Sequence, residues 1–281
     1  MTLPGMPASW TDRARAILDG DLVPAEPRRA ATVVLLRERP GGPEAYLLRR
    51  HAGMKFAAGM YAFPGGGVDP RDADHAVAWA GPGPEEWAER FGTSAAEARA
   101  IVAAAVRETF EESGVLLAGP GPDSVVADTT GDDWEADRAA LVDRSLGFTE
   151  FLDRRGLVLR SDLLGAWSRW ITPEFEDRRY DTWFFVAALP EGQRTRDVSG
   201  EADRVTWARP ADALAGLKTG ELGMLPPTIE TLRNLAVYAG TAEALAAAAG
   251  RGLAPVMAKP RFEGERLVIE WPGIPDPFGT A

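Results

Sequence analysis

The stretch RETFEESG, residues 107–114, sets Arg107, Glu108, Glu111, Glu112 and Gly114 within eight positions. At about 100° per residue on a helix, the three glutamates share one side, while Val102, Val106 and Phe110 lie on the other. Three carboxylates so close repel one another. The repulsion is relieved by solvent, by proton uptake, or by a hard divalent cation that prefers oxygen ligands and keeps waters a substrate phosphate can replace. Arg107, four residues before Glu111, can fix that carboxylate in one orientation. Glutamates on an alanine-rich helix commonly form only a solvated face. The glycines of FPGGG (63–67) shift the balance, because a glycine loop can bring backbone groups to the same ion and phosphate.

Strands and helices intermix around this helix. ATVVLLRE (31–38) and EAYLLRR (44–50) read as two strands joined by a turn at PGG, and AGMYAFPGGGVDP (58–70) runs from an extended aromatic stretch into three glycines. From Pro84 to Gly114 the chain is rich in alanine and glutamate, which predicts helix, with Gly114 as its terminating C′ residue. VLLAG (115–119) predicts a short buried strand and 133–156 a helix with polar breaks; 163–172, 180–189 and 202–208 predict aromatic and β-branched strands. PADALAGL, PPTIETLRNLAVYAG and TAEALAAAAG predict helices, and RLVIEW (266–271) a last strand. The class is α/β or α+β in one domain without internal repeats.

Composition narrows the chemistry. The chain has 281 residues, 45% hydrophobic and 26% charged, enough for a substantial core. No cysteine is present, which excludes disulfides, thiolate metal sites and a cysteine nucleophile; His51 and His75 are too few for a histidine-rich site, so any metal is held by oxygen. A net charge of −11 argues against a nucleic-acid partner, yet bound cations and arginines can still invert the potential inside one cleft for a small phosphorylated ligand. No window approaches a membrane span, the first residues lack a basic-then-apolar leader, and PDPFGTA is not a peroxisomal address. The expectation is a cytoplasmic protein with no membrane partner.

RETFEESGV (107–115) resembles the second half of the Nudix box, G-x5-E-x7-R-E-U-x-E-E-x-G-U with U a bulky apolar residue, and FPGG (63–66) resembles its glycine start. The resemblance implies a Nudix-type α/β/α sandwich with a mixed sheet. It also implies hydrolysis of a nucleoside diphosphate linked to another group, with Mg2+ or Mn2+ on the box glutamates. A single hydrolase domain over 1–281 is expected, with helical insertions at about 70–97 and 120–162 and a helical C-terminal part from about 210. Three departures stand out. Gly66 to Arg107 spans 41 positions where the pattern has 14, so 27 residues are inserted. The first box glutamate has no clear equivalent: counting forward reaches Asp72, counting back reaches Arg99, with Glu97 nearby. Thr109 stands at the first U position.

A split box is similar to that of the coenzyme A diphosphatase-like Nudix branch. LLRR (47–50), GMYAFPGG (59–66), WITP (170–173), RYDTWFF (179–185) and LPPT (225–228) fit that branch, although His51 and Lys55 depart from its coenzyme A signature. By the resemblance, Glu108, Glu111 and Glu112 bind the metal with the carbonyl of Gly65, and Arg107 orients a glutamate. Arg107, Glu108, Glu111 and Glu201 carry the chemistry, with Asp203 the alternative to Glu201 as base. Arg50, Lys55, Gly66 and Arg179 are the candidate substrate contacts, in two basic groups that include Arg49 and Arg178. The substrate implied is CoA or acyl-CoA; ADP-ribose, NADH or a nucleotide sugar is the alternative, and a non-catalytic nucleotide-binding module is the alternative of another class. The segment 120–162 reads as a cap over the cleft or a contact in a homodimer, and both stay open.

Overall fold

The computed structural model describes residues 8–53, 57–74, 76–198, 200, 202–275 and 277–278. Helix α1 (Ala8–Leu18) precedes strands β1 (Arg28–Arg37) and β2 (Glu44–Arg50). Short strands β3 (Tyr61–Ala62) and β4 (Gly65–Gly67) lead through a 3-10 turn, Pro70–Ala73, to β5 (Trp79–Ala80), α2 (Pro84–Phe91) and the long α3 (Ala95–Ser113). Next come β6 (Ala118–Gly119), α4 (Asp132–Val142), α5 (Phe148–Arg154) and β7 (Val158–Arg160). Strands β8 (Gly165–Ile171), β9 (Tyr180–Ala188) and β10 (Ala202–Ala208) follow. Helices α6 (Pro210–Thr219), α7 (Pro226–Leu235) and α8 (Thr241–Ala248) lead to β11 (Pro255–Val256), β12 (Lys259–Glu263) and β13 (Arg266–Glu270).

The main sheet runs β10-β2-β1-β9-β8-β11 and is mixed: β1 pairs parallel with β9 and antiparallel with β2. Both faces of its centre are buried, so the strands are apolar at nearly every position, and alternate residues feed different cores. Ala31, Val33 and Leu35 of β1 and Trp183, Phe185 and Ala187 of β9 pack in the layer that holds α3. Val34, Leu36, Phe184 and Val186 pack against α7 and α8 on the other face. This is an α/β/α sandwich. The tryptophans and phenylalanines of the aromatic strands fill these cores, as expected of alternating strand aromatics.

One feature of the sheet builds the site. β1 has β9 along one side, while its other side is shared: β2 takes the C-terminal end, Leu36 opposite Ala45, and the glycine strand β4 takes the N-terminal half, Thr32 opposite Gly65 and Ala30 opposite Gly67. A Cβ at Gly65 would come within 2.5 Å of Ala31 O and Thr32 Oγ1. Glycine is therefore required where β4 lies against β1.

The predicted elements differ from the observed ones in instructive places. Val115–Leu117 are buried but not strand, because the side chain of Gln193 substitutes for a neighbouring strand: Leu116 N donates to Gln193 Oε1 at 2.8 Å and Gln193 Nε2 donates to Leu116 O at 2.9 Å. The helix predicted over 133–156 is two helices broken at residues 143–147. The predicted last strand, 266–271, is β13, whereas helix α1 and β12 were not predicted; Ala14, Leu267 and Ile269 share a small core with Phe175. Gly114 ends α3 with φ of 74°, and a Cβ there would meet Arg196 Nε at 2.7 Å. Gly114→Ala should therefore lower the unfolding free energy by about 1–2 kcal/mol, read as a shift of the urea midpoint at constant slope.

Candidate active site

The site is built on the last two turns of α3. Ser94 starts the helix with a reciprocal cap: its hydroxyl accepts from Glu97 N at 3.3 Å and the Glu97 carboxylate accepts from Ser94 N at 3.3 Å. Val102, Val106 and Phe110 are fully buried, which turns the glutamate face toward β4 and the turn at Pro70–Ala73. Thr109, where the box pattern wants a bulky apolar residue, is buried without penalty because its hydroxyl donates to Ala105 O at 2.7 Å. At the other end, Arg138 Nη1 donates to Glu111 O at 2.6 Å and Thr129 Oγ1 donates to Gly114 O at 2.6 Å, so segment 120–162 satisfies carbonyls that the helix end leaves open.

Arg107 organises the cluster. Its Nε donates to Asp72 Oδ1 at 3.0 Å and Nη2 to Asp72 Oδ2 at 2.9 Å. Nη2 also donates to Gly67 O at 2.8 Å, and Nη1 to Glu108 Oε1 at 2.7 Å and Glu111 Oε1 at 3.0 Å. All five N–H groups are used. Burial disfavours the guanidinium charge, but the Asp72 hydrogen bonds and the fields of the surrounding carboxylates outweigh it and raise the Arg107 pKa. Asp72, at the position reached by counting forward from Gly66, is the carboxylate that the fold brings to Arg107. Glu97, the backward candidate, is spent on the helix cap and on Arg29.

Carboxylates outnumber the cation. Asp72, Glu108, Glu111 and Glu112 line one cleft of about 680 Å³ with Arg107 and Gly65–Gly67. Burial pushes Glu108 up to about 7, with Arg107 pulling the other way, and burial likewise raises Glu111. The carboxyl of Glu108 lies so close over Gly66 that a Cβ there would meet it at 2.5 Å. Glu112 Oε2 accepts from Gly65 N at 2.8 Å. Among the described residues no three acidic side chains already form a metal-holding group; Arg107 stands between Glu108 and Glu111. The donor set nonetheless fits a divalent cation. Asp72 and Glu112, both buried, and Glu108 and Glu111, half-buried, crowd around Arg107 and offer the oxygen donors that a hard cation prefers.

The structure places the remaining candidates unevenly. Arg50 and Gly66 line the cleft, and Gly65 lies beside Glu112. Arg179 does not reach it: its guanidinium is buried against Ala25 O at 2.7 Å and Thr172 O at 3.1 Å, and its neighbour Arg178 lines the cleft instead. Arg49 and Asp203 pair with each other at 2.6 Å, and that hydrogen bond holds Asp203 below its ordinary pKa, which makes it a poor base. Lys55 and Glu201 lie outside the described residues. Sequence reading missed Arg28, Arg144 and Tyr180, which also line the cleft; they come from strand ends and an inter-helix turn, where no spacing signal marks them.

Residues 86–235, just over half the chain, match the family model of the NUDT19 Nudix domain. The match contains Arg107–Val115 but begins after the glycine strand and Asp72, which only the folded geometry joins to it. Acyl-coenzyme A diphosphatase NUDT19 of Homo sapiens is 28% identical over 282 residues, covering 82% of this chain and 74% of that protein. The Gallus gallus protein of the same name is 27% identical over 262 residues, covering 74% of this chain and 68% of its own. Among solved structures, a Nudix hydrolase from Alicyclobacillus acidocaldarius superposes with a TM-score of 0.66 at 28% identity, over 79% of this chain and 96% of that one.

Two measurements check this geometry. Asp72→Asn removes the bidentate partner of Arg107 while its pairs with Glu108 and Glu111 remain, and chemical denaturation should show a loss of about 1–2 kcal/mol. The second concerns pH. Glu108 binds its proton more tightly folded than unfolded, so its contribution to stability is full below its ordinary value of 4.5 and is lost as pH rises through about 7. In chelator-treated protein, Glu108→Gln should flatten that decline and raise stability at alkaline pH by about 3 kcal/mol.

Proposed function

The chain belongs to the Nudix hydrolase family through its NUDT19-type domain, and on that footing we propose that it cleaves the diphosphate of CoA or acyl-CoA with the help of Mg2+ or Mn2+. The products are 4′-phosphopantetheine, free or acylated, and adenosine 3′,5′-bisphosphate. The observation that carries the reading is the Arg107 cluster: buried carboxylates, a glycine strand under them, and arginines around the same cleft. The protein as a whole is acidic, yet Arg28, Arg29, Arg50, Arg71, Arg144 and Arg178 all line this cleft. That inversion of local potential suits a small polyanion. The acyl-coenzyme A diphosphatases it resembles supply the substrate class.

Hydrolysis inserts one water across the P–O–P bridge: the water oxygen joins one phosphorus, the bridging oxygen leaves with the other, and the water's proton is taken up. Glu111 and Glu112, with Glu108 and the Gly65 carbonyl at hand, would hold the metal, which when bound neutralises phosphate oxygens and activates water. Arg107 keeps Glu108 and Glu111 in fixed orientations and anchors them to Asp72 and Gly67 O. Gly65–Gly67 lets the diphosphate approach the backbone without side-chain obstruction. Glu108, held by Arg107 directly over Gly66, is the described carboxylate we assign to accept the proton of the attacking water. We take the whole chain as one hydrolase domain carrying inserted segments. No helix among the described residues is long and apolar enough to cross a membrane.

The test is chromatographic product identification with CoA, acetyl-CoA, ADP-ribose and NADH, with and without divalent metal. Metal-dependent release of adenosine 3′,5′-bisphosphate is expected, reduced about 10²–10³-fold in Glu112→Gln, the several kcal/mol that metal stabilisation of phosphate charge is worth. AMP from ADP-ribose or NADH, with CoA untouched, would overturn the substrate.

A further inference from the structure

The aliphatic surface of the cleft has a narrow source. Apart from Ala30, Val68 and Pro70 beside the glycine strand, it comes from the junction of α4 and α5: Leu141, Val142 and Leu146. Leu141 and Leu146 are buried, but Val142 is 51% exposed. A lone exposed valine means little. This one shares a cleft with the box carboxylates and lies two residues from a cation that also lines it, Arg144.

Arg144 has φ of 65°, in the left-handed region that glycine usually occupies after a helix. An arginine kept where the backbone favours glycine points to a use for its side chain. Its guanidinium makes no ion pair among the described residues and lines the same cleft as Glu111. The turn is also fixed in place. Leu146 N donates to Ala140 O at 3.0 Å, Ser145 N to Asp143 Oδ1 at 2.8 Å, and Arg71 Nη1, from the turn that follows the glycine strand, to Arg144 O at 3.2 Å. Its position is thus tied to the segment that carries Asp72.

We infer that this turn is the subsite for the acyl-phosphopantetheine half of the substrate, Arg144 meeting the phosphate on that side of the scissile bond and Val142 the chain beyond it. The inference rests on the CoA reading above. A purine needs a flat partner, which Tyr180 offers beside Arg28 and Arg178 at the ends of β9 and β1; the methyl groups of Val142 match an extended aliphatic arm instead.

The test is steady-state kinetics of the full chain with Mg2+ on CoA, acetyl-CoA and a long-chain acyl-CoA. Val142→Ser should raise KM for the long-chain substrate about tenfold relative to CoA. Val237→Ser, at a residue 75% exposed and outside the cleft, should leave that ratio alone. Arg144→Gly should lower kcat/KM about tenfold for all three while its thermal midpoint stays level or rises, since glycine fits the backbone there. An unchanged long-chain-to-CoA ratio in Val142→Ser, or undiminished kcat/KM in Arg144→Gly, overturns the subsite. If the parent protein cleaves CoA and neither variant responds, only the subsite falls; if the parent does not cleave CoA at all, the substrate reading falls and takes the subsite with it.

Discussion

The fold and the site meet in the guanidinium of Arg107. Its five donors reach three chain segments: the glycine strand through Gly67 O, the following turn through Asp72, and its own helix through Glu108 and Glu111. A buried arginine is expensive unless every donor is satisfied and its charge is answered. Here both conditions hold only when β4, the Pro70–Ala73 turn and α3 are in register. The residue therefore works as a geometric check on the assembly of the cleft as well as a part of it. A lysine, with a compact ammonium in place of a planar fork, has no equivalent way to bind Asp72 bidentately while reaching two glutamates.

That constraint explains how the box survives being split. The extra residues fall after Asp72 and before Arg107, and they are folded as β5, α2 and the first half of α3. α2 and α3 bury Trp87, Phe91 and Ile101 in the core they share with the sheet, so the insertion is packed against the sandwich. Its two ends return to the same point because the Asp72–Arg107 pair closes it. Sequence distance between the halves of the motif therefore does not keep them apart in the fold, because this ion pair joins them.

Much of this was legible in the residues. Strand β2 was readable to its ends, α3 ends at its glycine, and the separation of Val102, Val106 and Phe110 from the glutamates was visible in helical periodicity. Counting did not settle the first box carboxylate, since one direction gave Asp72 and the other Arg99 with Glu97 nearby; in the fold Asp72 binds Arg107, while Glu97 binds the helix cap and Arg29. Arg179 and Arg178 are adjacent and chemically identical. Which one enters the cleft depends on strand phase, a one-residue matter that local sequence does not fix. The α4–α5 turn was hidden for a related reason: its role follows from a left-handed arginine and a long-range bond from Arg71, and neither leaves a periodic trace.

The crowding of carboxylates around the single guanidinium of Arg107 has a cost that bears on function. Burial holds Glu108 near neutrality in pKa, so the metal-free cluster exists near neutral pH as a mixture of protonated and ionised forms, each stabilising one feature and straining another. On the proposed reading, a divalent cation would relieve the repulsion, and a polyanionic substrate would answer both the cation and the surrounding arginines. The two charge groups divide the cleft: the carboxylates gather around Arg107 and Gly65–Gly67, while Arg28, Arg29, Arg50, Arg71, Arg144 and Arg178 line the rest of it.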